Sequence, residues 1–146
     1  MLDQVKSQLA GRLAPSPRIA DFLDLARETN IDFDAAVALI DGVASDLETV
    51  AFETISDLLR YAYKVAGTVG LMMCNVLDVD DPHAAPFAID LGIAMQLTNI
   101  ARDIQEDAEN GRRYVPAAWV GGASAIDIAH PDPVLMPGLQ AAAERL

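Results

Sequence analysis

Cysteine is almost absent from this 146-residue chain: Cys74 stands alone, which excludes an internal disulfide and any zinc cluster built from cysteines. Its setting, Gly70-Leu-Met-Met-Cys74-Asn75, is that of a buried small apolar residue rather than a nucleophile. Aromatic residues are few, at 5%, and positive charge is outnumbered, with 10 Lys and Arg against 22 Asp and Glu. The net charge of −12 repels a phosphate backbone and argues against nucleic acid as a partner. Small phosphorylated ligands remain allowed, because a divalent metal bridges carboxylates to phosphate oxygens. Proline clusters at Pro15 and Pro17 and from Pro116 onward, so the stretch 31–113 contains only Pro82 and Pro86. The start, Met1-Leu-Asp-Gln-Val-Lys6, has neither the basic segment nor the apolar run of a signal peptide. No uninterrupted apolar run reaches the roughly 18 residues of a membrane span. A cytoplasmic location is expected, with peripheral membrane contact left open through a lipid substrate.

What is present is helical periodicity. Leu2, Val5, Leu9 and Leu13 keep a helical spacing, which Pro15-Ser-Pro17 ends. A second helix opens at Ser16 or Pro17 and carries Ile19, Phe22 and Leu23. Asp32 is a candidate N-cap for a short helix over 35–40, with Gly42 marking the break after it. A longer helix is expected to begin between Asp46 and Thr54. From Ile55 the positions Leu58, Leu59, Ala62, Ala66 and Val69 hold the rhythm to Met73, apolar nearly all round, so this helix is expected to be central. The stretch 78–86 is a loop, 88–108 another long helix, and Asn110-Gly111 a strong stop. Tyr114-Val115-Pro116 runs extended because the residue before proline avoids the helical region. Residues 121–133 read as loop and 134–146 as helix. No alternating strand pattern occurs, so the fold class is all-α.

The chemistry concentrates in 96–114. At roughly 100° per residue, Gln96, Asn99, Asp103 and Asp107 fall within an arc of about 80°. Ile93, Leu97, Ile100 and Ile104 lie to one side of it. Oxygens three and four residues apart converge on one hard cation, and Mg²⁺ shares an octahedral shell between carboxylates and substrate phosphates. Arg112 and Arg113, just past the helix, are donors suited to phosphate oxygens. The same carboxylates also fit a plain solvated face. Acidic residues near a helix C-terminus oppose its dipole, however, and tolerating that cost suggests a positive ligand.

A second feature is Tyr61-Ala-Tyr63-Lys-Val65-Ala66-Gly67-Thr-Val69-Gly70. Glycines three apart inside a helix cost about 1 kcal/mol each relative to alanine. They let either a neighbouring helix or an alkyl chain approach the backbone. Tyr61 and Tyr63 fit packing, and a phenol beside a carbocation or a phosphate is the functional alternative.

Together, Tyr-x-Tyr-x-Val-Ala-Gly-Thr-Val-Gly-Leu-Met-Met at 61–73 and Leu-Gly-x-Ala-x-Gln-Leu-Thr-Asn-Ile-x-Arg-Asp-Ile-x-Glu-Asp-Ala-x-x-Gly-Arg-x-Tyr-x-Pro at 91–116 closely resemble the phytoene/squalene synthase family. Leu39-Ile-Asp-Gly42 and Asp46-Leu47 match its upstream helix, and the wording around 94–103 and 116–119 is most similar to bacterial phytoene synthases. The resemblance implies an isoprenoid-synthase helical fold around a deep apolar cavity. It implies Mg²⁺-dependent head-to-head joining of two geranylgeranyl diphosphates in isoprenoid and carotenoid biosynthesis. A squalene or dehydrosqualene synthase acting on farnesyl diphosphate is the alternative within the family. By the same match, Asn99, Asp103 and Asp107 would be metal ligands, with Gln96 and Arg102 their neighbours. Arg112 and Tyr114 would contact diphosphate, and Asp103, Asp107 and Tyr61 would be the catalytic groups. Tyr61, Val65, Ala66, Gly67, Val69 and Gly70 would line the prenyl channel.

The family's first Asp-x-x-x-Asp motif has no counterpart here, since Asp21-Phe-Leu-Asp24 has the wrong spacing. Residues 1–146 are therefore expected to be one internal helical segment, without the first aspartate-rich helix and the C-terminal helices. Condensation by this chain alone is not expected, and a noncatalytic helical module is the reading from another class. Loss of neighbouring helices would leave apolar strips along Leu58, Ala62, Ala66 and Val69, or along Ile93, Leu97, Ile100 and Ile104. Self-association is expected to cover them.

Overall fold

The computed structural model describes all 146 residues, and the chain is helical as the periodicity implies. The helices are α1 (Leu2–Leu9), α2 (Pro17–Glu28), α3 (Phe33–Ser45), α4 (Ile55–Ala62), α5 (Thr68–Val76), α6 (Ala84–Glu109), α7 (Ala125–Ala129) and α8 (Met136–Arg145). A π-helical turn, Tyr63–Gly67, joins α4 to α5, and a 3₁₀ turn covers Ala117–Trp119. The only strand-like pairing is an isolated parallel bridge between Ala51 and Arg113.

Local chemistry sets the ends. Pro17 occupies the first position of α2 after an extended Ser16. The Asp34 N–H donates to Asp32 Oδ1 at 2.8 Å, opening α3. At α4, Thr54 and Asp57 form a reciprocal capping box, with Asp57 N–H to Thr54 Oγ1 at 3.2 Å and Thr54 N–H to Asp57 Oδ2 at 3.0 Å. These bonds, the Thr54 hydroxyl first, hold the Asp57 carboxyl below its usual range. At the end of α6, Gly111 takes φ +78°, with Gly111 N–H to Ala108 C=O and Arg112 N–H to Asp107 C=O both at 2.9 Å. That is a Schellman closure, the stop expected at Asn110-Gly111.

Several boundaries differ from expectation. Helix α1 ends at Leu9 rather than Leu13, because Gly11 turns left-handed at φ +69° and the N–H groups of Arg12 and Leu13 fold back onto Ser7 C=O. Gly42 does not break α3, which continues to Ser45; a Cβ there would lie 2.8 Å from both Lys64 Cβ and Val65 Cγ1, so this glycine permits close packing. The helix expected to begin near Asp46 to Thr54 starts at the late end of that range, at Ile55 behind Thr54; before it, Val50 C=O and Phe52 N–H pair with the backbone of Arg113. Helix α6 starts at Ala84 and includes Pro86, tolerated in a first turn whose N–H groups have no helical partner. A Ser124–Asp127 capping box starts α7 inside the expected loop. Cys74 is half-buried rather than buried.

The chain forms two compact units. The first comprises Met1–Ala44 and Tyr63–Gly92. Its buried residues are mostly small: Ala26, Ala35, Ala36, Gly42, Gly67 and Thr68, with Gln8 and Ile31. A Cβ on Gly70 would strike the Ala88 carbonyl, and one on Gly92 the Ala66 carbonyl, so backbones meet directly. The second unit comprises Ser45–Ala62 and Ile93–Leu146. Ala108, Val115, Val120, Ile128, Ala129 and Ala142 form its core, covered by Ile104, Trp119 and Leu139 among others.

The stretch expected to be apolar and central is instead amphipathic. Leu58 and Ala62 are fully buried while Ile55, Leu59, Val69 and Met73 are exposed. Nor do the two named strips lie bare, since Ile100 is buried as well. The large exposed apolar side chains of α6 are Phe87, Leu91 and Met95, on a different face. By length and composition α6 is apolar enough to cross a membrane, which run-counting missed because Asp90 interrupts the run without spoiling the average.

Candidate functional site

The stripe on α6 is carried by helical spacing, but its geometry is not that of a straight helix. Asp103 has φ −105° and ψ 15°, a departure that kinks α6 at one of the expected metal ligands. The Arg102 guanidinium grips this carboxylate twice, Nε to Oδ1 at 2.7 Å and Nη2 to Oδ2 at 2.6 Å, and so holds it below the usual carboxylate range. Asp107, one turn on, stands in the opposite condition. Burial raises its pKa, the charge of Asp103 raises it further, and Arg112 opposes them. Two carboxylates one turn apart are thus pushed in opposite directions, each by its own neighbours.

A divalent cation beside this pair would offset the repulsion that raises Asp107, in competition with Arg102, which occupies both Asp103 oxygens. No three carboxylate, imidazole or thiol groups converge at one point. Asp103 and Asp107 with the exposed Asn99 amide would therefore leave most of an octahedral shell to phosphate oxygens and water. Gln96, partly buried, lies one turn before Asn99 on the same stripe.

Asp107, Arg112 and Tyr114 line one small recess with walls from Ile100, Ile104, Val115 and Ile128. Behind it is a cluster that single-helix spacing could not reveal. Asp46 Oδ1 accepts the Tyr114 hydroxyl at 2.8 Å, and Asp46 Oδ2 accepts the Tyr61 hydroxyl at 3.0 Å. The Arg112 Nη2 donates to the Asp46 main-chain carbonyl at 3.3 Å. The two phenol rings stack with centroids 5.0 Å apart, and Phe52 packs against both at 5.4 and 5.7 Å. Burial pushes both hydroxyls upward, Tyr114 to about 12 and Tyr61 beyond it, so both stay protonated donors near neutral pH.

Arg113, expected with Arg112 to face phosphate, also lines the recess, but its guanidinium is bonded to the protein. It is buried, donating through Nη1 to the carbonyls of Phe52 at 2.5 Å and Val115 at 3.0 Å, and through Nη2 to Glu53 at 2.9 Å. Three of its hydrogen bonds go to joining 50–53 to 113–115. The feature at 63–70 lies in the first unit, where Gly67 and Gly70 abut Ile89 and Ala88 of α6. Between the two explanations left open for these glycines, helix packing is the one observed. The Val65 side chain packs at Gly42, Ala66 is partly buried and Val69 is exposed.

Asp46 is the member of this cluster that sequence reasoning passed over. Its signal was present, since Asp46-Leu47 belonged to the resembling segment, but no periodicity ties it to residues 61 and 114.

The family model described as squalene/phytoene synthase matches residues 1–146. A 15-cis-phytoene synthase of Enterobacter agglomerans is 48% identical over 104 residues, covering 71% of this chain and 35% of that protein. The 15-cis-phytoene synthase of Pantoea ananas is 41% identical over 117 residues, covering 80% and 38%. The chain thus spans little more than a third of the length of these curated relatives. The crystal structure of the squalene synthase HpnC from Alicyclobacillus acidocaldarius superposes with a TM-score of 0.75 at 23% identity, over 99% of this chain and 61% of that one. That likeness is one of fold.

Proposed function

This chain belongs to the squalene/phytoene synthase family, and on that premise we propose that the α6 stripe is the Mg²⁺-diphosphate site of a phytoene synthase-type prenyltransferase. The reaction proposed is the head-to-head joining of two geranylgeranyl diphosphates. Its main support is the electrostatic contrast between Asp103 and Asp107 beside the Arg112 recess. Identities of 48% and 41% to phytoene synthases favour the C20 substrate.

In this reading Asn99, Asp103 and Asp107 supply oxygen ligands, and Gln96 adds a polar neighbour. Magnesium bound there would offset diphosphate charge and ease departure of the leaving group. Arg112 donates to the diphosphate, while Arg102 keeps Asp103 ionised. Tyr114 presents its phenol ring at the recess, with Tyr61 stacked against it, and an aromatic face there would stabilise positive charge. Val65, Ala66 and Val69 offer apolar surface to a prenyl chain, with Gly67 and Gly70 setting the helix spacing beneath it.

Calorimetric titration with Mg²⁺ and pyrophosphate tests the site. Binding is expected to need both ligands together and to weaken at least about tenfold in Asp103→Asn, which takes one carboxylate from a two-carboxylate shell. Equal heats for wild type and variant would remove the metal-site reading. Product analysis with C20 and C15 diphosphates decides the substrate.

Self-association belongs to the same proposal. Phe87, Leu91 and Met95 are 73%, 64% and 61% exposed at successive turns of α6. Sedimentation equilibrium showing only a 15.6 kDa species would rule it out.

A further inference from the structure

We propose that Asp46 is the positioning residue of this site: its carboxylate fixes the Tyr61 and Tyr114 hydroxyls and its main-chain carbonyl holds Arg112 at the mouth of the recess. The inference rests on the diphosphate reading for what the assembly is positioned to do. The hydrogen bonds themselves do not depend on that reading.

One residue here addresses three others from distant parts of the chain. Asp46 follows α3, Tyr61 lies on α4, and Arg112 and Tyr114 follow the closure of α6. Each carboxylate oxygen receives one phenol, and a carboxylate is the side chain that can accept two hydroxyls without donating. The tyrosine oxygens are also 3.4 Å apart, too close for two stacked phenols to keep independent orientations. The Tyr114 proton goes to Asp46 and the Tyr61 proton is directed to Asp46 and, at longer range, to the Tyr114 oxygen, so both are engaged within the cluster while this arrangement holds. Arg112 gives only one long bond to Asp46 and is the donor left to meet the anion. Asp46 thereby divides the work: tyrosines held as rings, arginine held as the anion's partner.

A carboxylate that merely happened to be nearby would have an opposite effect, since removing a negative charge beside an anion site strengthens anion binding. The sign of one measurement therefore separates the two roles. Asp46→Asn and Asp46→Glu are made in a Tyr63→Phe background, so that of the chain's three tyrosines only Tyr61 and Tyr114 report. The Raman tyrosine doublet, whose intensity ratio is low when the phenol is a strong donor, is recorded at neutral pH, with circular dichroism as a check on helix content. In Asp46→Asn the ratio is expected to rise, and Mg²⁺-pyrophosphate affinity to fall about three- to tenfold, the scale of one lost hydrogen bond. Asp46→Glu keeps the charge and both acceptors, and is expected to restore most of the doublet and part of the affinity.

An unchanged doublet in a folded Asp46→Asn overturns the proposal, as does affinity that stays level or tightens. Should the Asn variant lose its helix content, the Glu variant decides: a wild-type doublet supports the assignment and a risen one with helix intact overturns it. A wild-type chain that gives no heat with Mg²⁺ and pyrophosphate sinks the diphosphate reading itself and with it the positioning role; the doublet then reports only whether Asp46 holds the tyrosines.

Discussion

In residues 1–44 and 63–92, helices meet at Gly42, Gly70 and Gly92, and the buried residues are mostly alanine, glycine and threonine. In residues 45–62 and 93–146, Leu58, Val115 and Ile128 fill an interior, and a buried arginine and two buried tyrosines find partners for their polar atoms. The first unit fixes its packing by how closely backbones can approach, the second by how well side chains fill space. Each is accordingly sensitive to the opposite kind of substitution. The polar groups with functional promise all lie in the second, where a filled interior can hold carboxylates and phenols in defined geometry.

The largest effect should come from emptying the filled unit. Leu58 is fully buried, and Leu58→Ala is expected to cost about 2–5 kcal/mol, read as a lower urea midpoint with an unchanged slope. Next comes the reverse substitution in the other unit. Gly70→Ala drives a Cβ into the Ala88 carbonyl and is expected to cost about 1–3 kcal/mol, although alanine is the better helix former. A neutral or stabilising Gly70→Ala would break the comparison, because propensity would then outweigh close approach.

The smallest effect sharpens it. Asp107 is a carboxyl whose folded-state pKa is raised, so its ionisation weakens the fold as pH climbs from the unfolded-state value through the folded one. Above that window Asp107→Asn should melt higher than wild type, by about 2 °C at most given the group's exposure. The difference should vanish below the window, near pH 3, where both side chains are neutral. The same variant should lose Mg²⁺-pyrophosphate binding. Equal melting temperatures at pH 7 and pH 3 would show that burial does not strain this carboxylate.

What was legible in the residues alone is whatever a helix encodes within a few turns. The periodicity at 88–108 marks α6, Asn110-Gly111 marks its closure, and the spacing of Gln96, Asn99, Asp103 and Asp107 puts them on one stripe. These follow from backbone geometry that repeats every few residues, so neighbours in sequence settle them. The resemblance carried the reading to the family, again through local wording.

Only the tertiary structure decided the rest. Gly42 reads as a helix break until Lys64 and Val65 are seen against it. Arg113 reads as a phosphate donor like Arg112 until its guanidinium is found on the Phe52 carbonyl, 61 residues away. Asp46 reads only as part of the segment matching an upstream helix until Tyr61 and Tyr114, 15 and 68 residues away, bring it their hydroxyls. The physical reason is the same in each case: a polar group or a glycine is defined by what comes within a few ångströms of it, and contacts across such separations exist only once the chain has closed on itself.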